Sequence, residues 1–327
     1  MLRRWFGVFV VLCAALCGVV HAQTWKPNKH VELVIPFAAA SGNDAVARLL
    51  QNIWTTHKLV GASNSVVNKP GAGGSLGLNY TAQHAADPHY LVFASSTMLT
   101  NHIVGIGKLN YTDFTPVAMM LAEYLIFSVR ADSALKTGAD LVARLKKDPA
   151  SVSISVGSAA GNVNHIAIAM VAKAAGADPK RLKVVVFGSA GEGMTALLGG
   201  HVDVAVSSLG VIVPQLEAGK LRALALSAPR RMPDALAAIP TWGEQGINVQ
   251  LSLWRGIFAP KGVSADAVAY WEDVLARTAG SAEWQAQAKK SLWDATFKGV
   301  KEMRTQLDAD QAALQSVLGD LGMAKAQ

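Results

Sequence analysis

Val31-Glu32-Leu33-Val34-Ile35-Pro36-Phe37, followed by Ala38-Ala39-Ala40-Ser41-Gly42-Asn43-Asp44, is the stretch that decides the fold. The branched apolar run reads as a buried strand. The small residues after it end that strand, and a helical pattern begins at Asp44 and runs over 44–57. The same order recurs down the chain. Strands are expected at 31–37, 65–68, 90–95, 125–129, 152–156, 184–187, 202–207 and 221–226, with helical patterns at 76–85, 139–147, 164–175, 194–198 and 211–218 between them. Such alternation predicts α/β architecture with parallel sheets of βαβ units and helices on both faces. From 264 the chain turns helical, over 264–278, 281–292 and 300–321. Ser264 and Ser281, each followed by an acid in the first turn, read as N-caps.

Two lobes are expected from 327 residues. No Pro, Gly or Ser linker separates them, so the chain is expected to cross between lobes on strands 125–129 and 221–227. That makes one discontinuous lobe of 23–126 plus 227–327 and one continuous lobe of 127–226. Hydrophobic residues are 51% of the chain and charged residues 16%, which excludes a disordered protein and allows a large core.

Residues 1–22 read as a cleaved secretory signal. Arg3 and Arg4 precede a chargeless apolar run from Trp5 to Val20, and Val20-His21-Ala22 supplies small residues before a cut. The run is shorter than the ~20 residues of a spanning helix. Cys13 and Cys17 lie inside it, so the remainder has no cysteine for disulfides, metal thiolates or nucleophilic attack. The formal net charge of +7 favours anionic partners. The basic residues are scattered pairs such as Lys146-Lys147 and Arg230-Arg231, so nucleic acid is not an expected partner.

Polar chemistry gathers where strands end. Pro36–44, Pro70-Gly71-Ala72-Gly73-Gly74-Ser75, Ser95-Ser96-Thr97, the 157–165 stretch and Gly188-Ser189-Ala190-Gly191 each follow a strand with small residues, and most open a helix. In open α/β sheets, ligands bind at the carboxyl ends of strands. Free backbone N–H groups at a helix start favour an anion by ~0.3–2 kcal/mol. Several such loops converging would hold a carboxylate without burying a lysine or arginine. Ordinary βα turns with N-caps have the same composition. His165, opening a helix, reads either as a capping residue or as a ligand contact.

Sharper motifs fail. Gly73-Gly74-Ser75-Leu76-Gly77 fits G-x-S-x-G, the basis of an alternative reading as a secreted α/β hydrolase using Ser75, but no acid and histidine follow in recognisable contexts. The dinucleotide-type spacing Gly71, Gly73, Gly77 has no acid at a second strand end. The histidines show no H-x-x-x-H pair for zinc. A regulator's effector domain would need a DNA-binding helix pair that is absent here. No cofactor, metal or catalytic residue is expected.

The residues Pro36-Phe37, Gly42-Asn43-Asp44, Asn68-Lys69-Pro70-Gly71-Ala72-Gly73-Gly74, Gly191-Glu192, Thr195 through Asp203, Ala218-Gly219-Lys220-Leu221-Arg222, and Trp254-Arg255-Gly256-Ile257-Phe258-Ala259-Pro260 resemble the tripartite tricarboxylate transporter substrate-binding family, also called Bug receptors. The likeness runs from Val31 to the C-terminus. It implies a type II periplasmic binding-protein fold of two lobes closing on a small carboxylate (a di- or tricarboxylate or an aromatic acid). Delivery would be to a membrane permease or a signalling sensor, by a monomer in the periplasm of a Gram-negative bacterium. By position it implies ligand contacts at Phe37, Ala38, Ala39, Asn43, Asp44, Ser95, Ser96 and Thr97 in the first lobe. Asn162, Asn164, His165, Ser189, Ala190 and Gly191 would face them. Asp44 reads as a helix cap or amine reader, since it repels a carboxylate. Two departures stand out: Ala40 and Ser41 where the family commonly has glycines, and Phe187-Gly188 where an aromatic is often followed by lysine.

Overall fold

The computed structural model describes residues 25–157 and 161–325. The expected signal segment and residues 158–160 of the 157–165 loop lie outside the described residues. Ten strands are present: β1 Val31–Ile35, β2 Asn64–Asn68, β3 Tyr90–Ser95, β4 Phe114–Glu123, β5 Leu125–Arg130, β6 Ser153–Gly157, β7 Lys183–Phe187, β8 Val204–Ser208, β9 Leu221–Leu226 and β10 Leu253–Pro260. The helices are α1 Gly42–Thr56, α2 Ser75–Ala82, α3 Thr97–Ile103, α4 Gly138–Lys147, α5 Val163–Ala174, α6 Ala190–Leu198, α7 Leu209–Glu217, α8 Ala265–Ala279, α9 Ala282–Ser291 and α10 Val300–Asp320.

The strands form two five-stranded sheets, ordered β2-β1-β3-β10-β4 and β7-β6-β8-β5-β9. Three strands of each are parallel, as the alternation predicts. One strand in each is reversed: β10 runs antiparallel to β3 and β4, and β5 runs antiparallel to β8 and β9, so β4 and β9 point the same way as the parallel three. The all-parallel expectation is therefore corrected to mixed sheets. Each sheet takes its fourth strand, β10 or β5, from the chain arriving out of the other half. A strand that enters without a crossover helix is free to pair antiparallel.

Residues 125–129 and 221–226, expected to carry the chain across, lie wholly within the second sheet. The outward passage is the single residue Tyr124 between β4 and β5, and the return begins at Ser227. Both passages are tied at Ser227, which is 0% exposed. Its hydroxyl accepts from Leu125 N–H at 2.9 Å and donates to the Leu251 carbonyl at 2.7 Å. Its backbone N–H donates to Leu125 O, and its carbonyl accepts from Leu251 N–H.

Packing follows the period-2 geometry of strands. Val31, Leu33 and Ile35 enter one core with Leu50, Trp54 and Trp271, while Val34 enters the other with Val92, Trp254 and Leu307. Burial on both faces is why β1 is apolar at every position but Glu32, whose carboxylate accepts from the Tyr80 hydroxyl. Trp54 and Trp271 satisfy their indole N–H groups on Thr278 Oγ1 and Pro88 O. Strand β4 was missed because Pro116, Met119 and Met120 give it neither alternation nor β-branched density. Strand β10 was seen only as a family motif, for Gly256 and Pro260 disguise it. A Cβ on Gly256 would lie 2.8 Å from Met303 Cε and 3.0 Å from Ala118 O, so its glycine lets α10 lie close on the sheet.

Helix α10 bears on both halves. Asp308 accepts from the Tyr111 hydroxyl at 2.6 Å on one side, and Ser316 Oγ receives Lys173 Nζ of α5 at 2.7 Å on the other. Lys173 also pairs with Asp320. Ser227→Ala is expected to cost about 1–3 kcal/mol, because it leaves Leu125 N–H and Leu251 C=O buried without the partner they share. Urea unfolding of the variant checks this, and an unchanged midpoint would mean another group ties the passages.

Candidate functional site

At the carboxyl end of β1 the chain turns sharply. Ala40 takes φ 62°, in the left-handed region where an alanine is strained. Ser41 caps α1, accepting from Asp44 N–H at 3.3 Å. Asp44 is buried, and its carboxylate accepts from Ala40 N–H at 2.8 Å, Arg48 Nε at 2.9 Å and Asn68 Nδ2 at 2.9 Å. Burial pushes this carboxyl up, but the hydrogen bonds from Arg48, Asn68 and Ala40 outweigh it and hold it below its ordinary value. Asp44 therefore organises the loop from beneath. Ala38 and Ala39 are exposed on its crest, and Asn43 accepts from Arg255 Nε at 2.9 Å, with Arg255 also paired to Glu123.

The glycine loop before α2 has a structural task. Gly71, Ala72, Gly73 and Gly74 all have positive φ, and a Cβ on Gly77 would lie 2.9 Å from Pro36 Cα. The apparent G-x-S-x-G motif is thus a close approach of α2 to the end of β1. Beside it, Ser95 and Thr97 join hydroxyls at 2.8 Å, and Ser96 N–H donates to Trp254 O. Phe37, Gly73, Gly74, Ser95 and Thr97 line one shallow recess.

In the second half, Asn162 caps α5, its Oδ1 accepting from His165 N–H at 2.9 Å. His165 Nδ1 accepts from Gly161 N–H at 2.9 Å, so the ring is turned back on its own loop. Ser189 caps α6 in the same manner, and Glu192 accepts from Gly188 N–H. Ser189 and Gly191 are exposed.

Between the halves lies a cavity of about 430 Å³. Ser96, Thr97 and Asn101 line it from the first half and Gly161, Asn162 and Val163 from the second. Leu251, Ser252 and Leu253 of the return passage, Asp310 and Leu314 of α10, and Met323 complete it. Thr97 belongs to both recess and cavity; of the expected contacts Ser96, Thr97 and Asn162 line the cavity, while Phe37 and Ser95 line the recess. Asn43, Asp44, Asn164, His165 and the 189–191 loop do not line the cavity. The sequence reading missed Asn101, Leu251, Asp310 and Met323. Asp310 carries no signal, since it reads as one more surface acid of a long helix. Among the described residues, no group of three or more His, Cys, Asp or Glu is placed to hold a metal ion, and no helix is long and apolar enough to cross a membrane.

Two outcomes test the loop chemistry. Ala40→Gly is expected to stabilise the fold by about 0.5–1 kcal/mol, relief of the left-handed strain exceeding glycine's added unfolded-state freedom; a lower urea midpoint would contradict it. Burial pulls the His165 imidazole below its ordinary 6.5. Its contribution to stability is then whole above pH 6.5 and is lost as pH falls through the lower folded value. An NMR titration with a His165 midpoint at or above 6.5 would refute this.

The family model for the tripartite tricarboxylate transporter family receptor matches residues 46–313. A UPF0065 protein of Agrobacterium vitis, from the TAR-I ttuE-ttuC' intergenic region, is 30% identical over 80% of this chain and 74% of its own. Among solved structures, a TctC solute-binding protein from Polaromonas superposes with TM-score 0.83 at 23% identity, covering 90% of this chain and 99% of that one. Rpa4515 of R. palustris, solved with adipate, superposes with TM-score 0.68 at 25% identity, covering 91% and 99%. The receptor family lends no support to a Ser75 hydrolase, and the glycines around that serine are accounted for by packing. With the family model spanning residues 46–313, most of the chain and every described strand but β1, this protein belongs to the tripartite tricarboxylate transporter family of receptors and is a solute-binding protein, not an enzyme.

Proposed function

We propose that this receptor works in the periplasm, as a monomer, capturing a small organic acid between its two lobes and delivering it to a membrane permease or a sensor. Residues 1–22 act as the export signal. The lobes hinge at Tyr124 and Ser227, so that 125–226 forms the second lobe and the chain on either side of it the first. The observation that carries this reading is the cavity walled by both halves and floored by the return passage. A ligand there touches both lobes at once, so it favours the closed arrangement by its differential contacts.

Among the described residues, no lysine or arginine lines the cavity. An anion is held instead by neutral donors: the hydroxyls of Ser96 and Thr97, the Asn101 amide and the free N–H groups at the start of α5. On closure, Phe37, Ala38, Ala39, Asn43, Ser95, Asn164, His165, Ser189, Ala190 and Gly191 come to border the ligand, while Asp44 keeps the first loop in shape. Adipate in Rpa4515 supports a carboxylate as the solute class.

A thermal-shift screen of small carboxylates tests the reading, since a ligand at 100 times its dissociation constant adds ~2.7 kcal/mol. Stabilisation by neutral molecules only would remove the acid. Asn162→Asp keeps the cap, because Asp and Asn cap alike, but places like charge against the ligand. Acid affinity is expected to fall roughly tenfold, about 1.4 kcal/mol, with the unfolding midpoint retained. Unchanged affinity by calorimetry would take Asn162 out of the site.

A further inference from the structure

We infer that Asp310 makes the cleft selective for a monocarboxylate with an apolar body that also carries a hydroxyl or amine hydrogen-bond donor, and selective against di- and tricarboxylates. This rests on the cleft being the ligand site, and it assigns the class of acid. The body follows from the walls. Val104, Ile106, Val163, Leu251, Leu253 and Leu314 present hydrocarbon to the cavity. A space of about 430 Å³ is well above the ~150 Å³ that accommodates benzene, so it admits a ring or branched chain with its polar groups. A solute that is carboxylate at every end leaves those walls poorly matched.

The selectivity follows from how Asp310 is held. Trp254 Nε1 donates to its Oδ2 at 3.0 Å, and Gln306 Nε2 donates to its Oδ1 at 2.7 Å. Gln306 is itself fixed by Lys298 Nζ on its Oε1 at 2.8 Å. Trp254 is 0% exposed, so the carboxylate is clamped between the sheet and α10 and cannot swing into bulk water. A carboxylate has about four lone-pair sites, and these two bonds use two. The rest remain for donors in the two spaces that Asp310 borders, the cleft and a smaller cavity beside Tyr124 and Lys298. Among the described residues no cation forms an ion pair with it, and Lys298 is bonded to Gln306 instead. Burial pushes its carboxyl up to about 6, against the pull of Gln306, Trp254 and Lys298. A second ligand carboxylate would meet this fixed charge with little water between them, whereas a hydroxyl or ammonium would be accepted. The hydroxyls of Ser96 and Thr97 on the first-half wall face the ligand's one carboxylate.

Calorimetry at pH 7.5 on the mature protein tests this with matched acids: phenylpropionate, its 4-hydroxy derivative, 4-hydroxybenzoate, adipate and citrate. In the wild type the hydroxylated aryl acids are expected to bind at least tenfold more tightly than phenylpropionate, adipate or citrate. In Asp310→Asn, near-isosteric and still able to accept from Trp254, the preference over adipate is expected to shrink at least tenfold. Wild-type preference for adipate or citrate, which needs no variant, overturns the inference while leaving the acid receptor intact. So does an unchanged ratio in a folded Asp310→Asn. Failure of every acid to bind overturns the acid-receptor reading, and this inference with it.

Discussion

The two sheets share no strand, so the molecule depends on what happens at the passages between them, and that is governed by one buried hydroxyl. Ser227 meets Leu125 through its side chain and its N–H, and meets Leu251 through its side chain and its carbonyl. The outgoing and returning chains are thereby fastened at one point, with Tyr124 as the sole residue separating β4 from β5. Rotation about such a narrow neck leaves the interior of each sheet untouched. Movement is confined to where the polar groups are few and mutually satisfied, which is the condition for lobes that move as bodies. Helix α10 limits the range, since it is anchored to both halves through Asp308 and through Ser316 and Asp320.

The cleft next to this neck is built from backbone ends and neutral side chains. The loops at the strand ends have their own internal supports. Asp44 holds the first loop through three donors, Asn162 and His165 brace the start of α5, and Ser189 with Glu192 braces α6. Charged groups are thus used to shape the loops, and among the described residues Asp310 is the one charged side chain that lines the cavity. Two residues here carry strain: Ala40 and Ala72 adopt positive φ that glycine would accept freely. The hydrogen bond from Ala40 N–H to Asp44 offsets part of that strain.

The strands at 90–95 and 221–226 were legible to the residue, because branched apolar runs bounded by turn residues carry their own period. The N-caps Ser264 and Ser281 were legible for the same reason, each being a side-chain bond to an amide three residues on. Strands β4 and β10 were not legible as strands. Their identity comes from mutual pairing and from burial under α10, which weaken the local pattern. Of the residues around the cleft, Ser96, Thr97 and Asn162 were found by their position after strands, whereas Asn101, Leu251, Asp310 and Met323 were not.

By itself the sequence determined the alternating elements, the small-residue turns at strand ends and the family likeness, all properties of residues within a few positions of each other. The tertiary structure decided the antiparallel insertion of β5 and β10, the tie at Ser227 and the fixed carboxylate of Asp310. Those depend on pairs such as Leu125 with Ser227, 102 residues apart, and Trp254 with Asp310, 56 apart. A hydrogen bond between distant residues leaves no period in the chain, so it becomes visible only once the two sheets have brought its partners together.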